Sequence, residues 1–184
     1  MRFLAELRRI LRDLVAELVV LELPVEGVDG DEEGERDREE TLEEVRALVE
    51  RLAPGYDFTR EIELTESLAL GDTVIVRKGG SVVGLALCHT APLVEGRTRE
   101  ELRVLKLALS GIDVLEPMIG ALCDFAKRSG TRRVALRVQG EYPAMYRALV
   151  TLGARVRWTD LRMSLAGYEE RMSGSGIILS NWEI

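Results

Sequence analysis

With 184 residues, 46% of them hydrophobic, the chain has ordinary domain size and can bury one core without disulfide or metal staples. A net charge of −7 argues against a nucleic-acid or membrane partner, and two cysteines with a single histidine argue against a disulfide framework and a structural zinc site. Glu6, Arg8, Arg9, Arg12 and Asp13 interrupt the apolar N-terminal stretch, which therefore reads as neither signal peptide nor membrane span; a cytoplasmic location is expected.

Residues 3 to 18 place Phe3, Leu7, Ile10, Leu11, Leu14 and Leu18 at helical spacing. This amphipathic helix sets residues 1–17 apart from a domain over 18–184, and its apolar face predicts self-association as a homo-oligomer. Residues 18 to 25 read as a short strand. Residues 29 to 40 are rich in acid and poor in apolar side chains, which predicts a mobile surface loop. Thr41 and Glu44 have capping-box spacing ahead of Val45, Leu48, Val49 and Leu52, a helix that should end before Pro54, and a shorter helix over 57–70 should be closed by Gly71.

The period then changes. Residues 72–78 and 81–90 flank Gly79 and Gly80, the residues of a tight hairpin turn, and Gly84 marks a bulge in the second strand. Residues 101–109 form another strand. Asp113 and Glu116 should cap a helix carrying Val114, Leu115, Met118, Leu122 and Phe125 on one face, with Gly130 as its stop. Residues 131–139 alternate as a half-buried strand, and Pro143 opens a helix that Gly153 ends. Residues 155–165 read as extended, and a last strand over 177–184 follows a Gly/Ser linker.

Strand, two helices, hairpin, strand, helix, strand, helix, strand is the order of the GNAT acyltransferase fold. The hairpin from Gly71-Asp72-Thr73 through Gly84-Leu85-Ala86 resembles the family's central hairpin. Tyr146-Arg147-Ala148-Leu149 with Leu152-Gly153-Ala154 resembles its late helix and the Leu-Gly-Phe that follows. The closing Gly176-Ile177-Ile178-Leu179-Ser180 resembles the ends of atypical GNAT domains found in tandem proteins, and the resemblance spans residues 41 to 184. It implies an α/β fold with a mixed central β-sheet flanked by helices, acetyl-CoA as co-substrate, no metal, and acyl transfer to a small-molecule or protein amine. The alternative is a noncatalytic binding module that has lost the acetyl-CoA phosphate loop.

The family holds the acetyl-CoA pyrophosphate in a glycine-spaced loop at a helix N-terminus, where free N–H groups and the helix dipole attract anions. Here the junction from Leu107 to Pro117 is short and lacks that spacing. The resemblance gives backbone groups near Leu107 and Leu109 to the pantetheine arm, with Ser110 and Gly111 at the phosphate end, while Asp113 and Glu116 would repel a pyrophosphate and Pro117 removes one N–H. The family's proton-donating tyrosine corresponds to Leu149. Tyr146, nearly one turn earlier, is either its substitute or a packing residue. His89 is a general base or an ordinary strand-end histidine, and Glu141 is an alternative base. Cys88 and His89 point to opposite faces of one strand, which opposes a nucleophile–base pair. Arg132, Arg133, Arg137, Arg155, Arg157 and Arg162 either line a basic groove or pair with local acids on solvated strand faces.

Overall fold

The computed structural model describes residues 17–20, 32–92, 101–157, 159 and 174–180. In chain order the elements are β1 (Glu17–Val20), α1 (Glu32–Leu52), α2 (Thr59–Ser67), β2 (Gly71–Lys78), β3 (Ser81–His89) and β4 (Glu101–Leu109). A 3-10 turn (Ile112–Val114) then leads into α3 (Leu115–Arg128), β5 (Arg133–Leu136), α4 (Pro143–Thr151) and β6 (Ile177–Ser180). Residues 3–16 of the expected N-terminal helix, and the self-association assigned to it, lie outside the described residues.

Strands β1 to β4 form an antiparallel meander, and β5 joins β4 in parallel. A parallel neighbour cannot be reached by a hairpin, so the chain crosses over through α3. Helices cover both faces of the sheet. On one side, Val45, Leu48, Val49 and Leu52 of α1, with Phe58 and Ile62, pack on Ile75, Leu85, Leu87 and Ala108. On the other, α3 and Met145 and Leu149 of α4 pack on Val74, Ala86, Cys88, Leu107 and Leu109. The alternation of β3 and β4 between these two sets is the period-2 consequence of a strand buried on both faces.

The hairpin forms as its glycines predict, with Gly79 and Gly80 at φ 59° and 82°. The register slips beside Gly84, where Val76 pairs with Gly84 but Arg77 with Val82. Glycine also eases packing there: a Cβ would lie 3.0 Å from Val114 and 3.1 Å from Met118, so its absence lets α3 seat closely on the sheet.

Three expectations are corrected. Residues 32–40, read as a mobile acidic loop, belong to α1. Glu and Arg are good helix formers, acid near a helix N-terminus is favoured by the dipole, and extension from the amphipathic stretch adds one hydrogen bond per residue without a new nucleus. Thr41 is accordingly inside a helix rather than at its cap; its hydroxyl accepts from Arg77 at 3.0 Å. Helix α2 is stopped not by Gly71, which opens β2, but by Ala69 at φ 50°.

Candidate functional site

Strand β4 runs through the centre of the sheet, and its second edge is divided between two partners. Glu101 to Val104 pair in parallel with Arg133 to Leu136, and there the β5 ladder stops. From Lys106 to Leu109 the same edge pairs antiparallel with β6, matching Leu107 to Leu179 and Leu109 to Ile177. The Ser110 N–H donates to the Val83 carbonyl at 2.8 Å, so by strand alternation Leu109 and Leu107 turn their N–H and C=O groups away from β3. These are the backbone groups that the family resemblance gives to a pantetheine arm. They face the second edge of β4, and β6 meets them there.

Beyond β4 the chain turns through Ser110 and Gly111 into the 3-10 turn. Neither that turn nor α3 has a side-chain cap, so Asp113 and Glu116 do not form the expected capping box. Asp113 instead pairs with Lys78 at 3.2 Å, an exposed contact, and its carboxylate lies where a Cβ on Gly111 would stand 2.7 Å away. Pro117 lies in the first turn of α3, where it removes one backbone N–H, and the Asp113 carboxylate folds over Gly111. An open cavity of about 280 Å³ lies beside it, lined by Gly111, Ile112, Glu141, Tyr142, Met145 and Gly176 among others.

The three candidate catalytic residues are not brought together. Tyr146 is 48% exposed on α4, while its neighbours Met145 and Leu149 carry that helix's buried face. Glu141 lines the cavity past the end of β4. His89 is at the opposite end, paired in register with Arg103, so some six residues of strand, roughly 20 Å, separate the two. The His89 ring meets the Thr65 hydroxyl at 2.9 Å; partial burial, then the nearby Arg103, holds its pKa below the usual value. Cys88 is buried in the core on the other face. Its thiol donates to the Ala86 carbonyl at 3.7 Å, and burial pushes its pKa up. Among the arginines, Arg157 pairs with Glu101 at 2.5 Å, and Arg162 lies outside the described residues.

Two groups that sequence reasoning missed do converge on the divided edge. The Tyr142 hydroxyl accepts the Ile178 N–H at 3.2 Å, on the side of β6 that faces away from β4. Lys106, 8% exposed, donates to the Ser180 hydroxyl at 2.8 Å, lies 3.5 Å from Glu61 and sits 5.3 Å from the centre of the Phe58 ring. A signal for Lys106 was present, since it is a lone charge within the apolar run Val104 to Leu109. No group of three or more His, Cys, Asp or Glu side chains among the described residues could hold a metal ion, and no described helix is long and apolar enough to cross a membrane.

No protein-family model and no curated protein sequence matches the chain. Solved structures do. An acetyltransferase from Trypanosoma brucei superposes with a TM-score of 0.55 at 19% identity, covering 82% of this chain and 99% of its own. The aminoglycoside N-acetyltransferase AAC(6')-Iy, solved in complex with CoA, gives 0.54 at 15% identity over 84% of this chain and 98% of that one. A ribosomal-protein-alanine N-acetyltransferase from Brucella melitensis gives 0.53 at 17% over 82% and 99%. The chain has the GNAT acyltransferase fold. Within that GNAT frame, the mixed sheet with helices on both faces is as expected from the order of elements, and the second edge of β4 carries β6 from Lys106 to Leu109.

Proposed function

We propose that the chain is an acyl-CoA-dependent N-acyltransferase of GNAT type, whose thioester arm lies along β4 between Lys106 and Leu109. The observation that supports this most directly is the outward-turned backbone of Leu107 and Leu109, beside the point where the β5 ladder stops at Val104. Such an edge offers alternating donors and acceptors to any extended ligand with amide groups, as the pantetheine arm has. In the reaction, the neutral amine nitrogen attacks the thioester carbonyl, the carbon–sulfur bond breaks, the nitrogen gives up its surplus proton to solvent, and the departing thiolate needs a proton, which solvent then returns to the donor. The Tyr142 hydroxyl is the group we assign to supply it, because it already bonds to what lies on that edge. The acceptor is a small-molecule or protein amine entering from the α2 side, where Glu61 and Lys106 lie.

A second reading, a noncatalytic binding module, is favoured by one observation: Asp113 and Pro117 stand where a phosphate loop would present N–H groups. Titration calorimetry with acetyl-CoA, followed by a thiol-release assay over a panel of amines, separates the two. Weak binding with release that falls at least ten-fold in Tyr142→Phe supports the transferase. Binding without release for any amine supports the module. No heat up to millimolar acetyl-CoA overturns the proposed site.

A further inference from the structure

We infer that β6 and acyl-CoA are competitors for one seat on β4, so that the chain carries its own displaceable occupant of the ligand slot; this rests on the reading of that slot given above. The seat is defined by backbone. Leu107 and Leu109 face Leu179 and Ile177 across the ladder, and the same outward groups cannot serve a second extended partner at once. The next residue of β6, Ile178, turns its N–H the other way, to the Tyr142 hydroxyl at 3.2 Å. One strand therefore engages both the β4 edge and the proton donor proposed for the reaction. At its far end, Ser180 accepts from Lys106 at 2.8 Å, closing the slot along its length.

The entry to the seat is shaped for this segment. A Cβ on Gly176 would stand 2.5 Å from the Leu109 carbonyl and 2.5 Å from the Leu52 side chain, so only glycine lets the chain pass onto the edge. The run Ser173-Gly174-Ser175-Gly176 ahead of it has the composition of a flexible linker, which allows β6 to leave without drawing the rest of the fold along. Opposing departure are Ile177, Ile178 and Leu179, only 6%, 9% and 4% exposed where they sit. The seated state therefore dominates, and the apparent affinity of any competing ligand is reduced by the fraction of chains with the edge open.

The test combines Gly176→Val in the full chain with amide hydrogen exchange on the unaltered protein. The valine should unseat β6 and tighten coenzyme A binding at least ten-fold in calorimetry. In the unaltered chain saturated with coenzyme A, the Ile177 and Leu179 amides should lose protection while those of Leu107 and Leu109 keep it. If coenzyme A binds but Ile177 and Leu179 remain protected, competition is overturned and the arm does not lie on the β4 edge; if Gly176→Val leaves affinity unchanged with β6 exchanging freely, competition is overturned and the transferase reading stands. If neither protein binds coenzyme A, both the slot and the competition fall together. Should the variant not fold, the exchange pattern of the unaltered chain decides by itself.

Discussion

Lys106 and Ser180 are joined at 2.8 Å across the β4–β6 ladder, a charged side chain tied to a hydroxyl on a strand edge that is otherwise apolar. Glu61, the other partner of this lysine, is 41% exposed and keeps its water when the lysine is removed. Lys106→Met, which keeps the length and loses the charge, should therefore change stability by about 1 kcal/mol or less, whereas Lys106→Ala, which also leaves a void against Phe58, should cost about 2 kcal/mol. Urea unfolding distinguishes the two. Equal losses in both variants would mean that charge, not packing, holds this site.

Gly71 and Gly84 both sit in tight places, but against different neighbours. A Cβ at Gly71 would be 1.8 Å from the Cys88 carbonyl oxygen, a backbone atom fixed in the β2–β3 ladder; at Gly84 it would meet side-chain atoms of Val114 and Met118 at 3.0 and 3.1 Å. Side chains can give way and ladder carbonyls cannot. Gly71→Ala should cost about 3 kcal/mol or more and Gly84→Ala about 1 kcal/mol in the same denaturation experiment. The reverse order would show that the strand pair is softer than the α3 interface.

Glu44 locks α1 to the hairpin, receiving Arg77 at 2.7 Å and the Val82 N–H at 3.0 Å. The Arg77 hydrogen bond is the main cause of its lowered carboxyl pKa, outweighing desolvation. A lowered folded-state value means that the unfolded chain binds more protons as acid is added. The stabilisation is then complete above the ordinary 4.5 and is lost as pH falls through the lowered value. Unfolding free energies of the wild type and Glu44→Gln should differ at pH 7 and converge toward pH 2; a gap independent of pH would remove the ion pair as its source.

His89 titrates with the same sign, in a window that opens at higher pH. Its folded-state pKa is lowered by burial and by Arg103, so the unfolded chain takes up protons first as pH falls below the ordinary 6.5. Stability from this group is intact above that value, declines through the window down to the folded pKa, and levels off beneath it. Because the chain has one histidine, its ring resonances can be followed directly by NMR, and their midpoint should lie below 6.5. A midpoint above 6.5 would mean that the ring is charged in place and partnered by an acid.

Much of the fold was legible because it depends on local rules. Gly79 and Gly80 set the hairpin, Pro143 and Gly153 bracketed α4, and the spacing of Met118, Leu122 and Phe125 marked α3. The acidic stretch before Thr41 was misread because composition measures the burial a segment can achieve alone, and this one extends a helix nucleated by its neighbour. At the site, Tyr142 was overlooked. Its hydroxyl meets the Ile178 N–H, which is 36 residues away in the chain.

The amino-acid sequence by itself determined the elements, their order and the period of each strand, since propensity, turn chemistry and apolar spacing act over a few residues. It also determined that β6 exists. Where β6 goes was decided only in three dimensions: an antiparallel strand can pair with any open edge, and backbone hydrogen bonds carry no side-chain address. What seats it on Leu107 and Leu109 is the end of the β5 ladder at Val104, the room beside Gly176, and partners drawn from Lys106 and Tyr142 on separate elements.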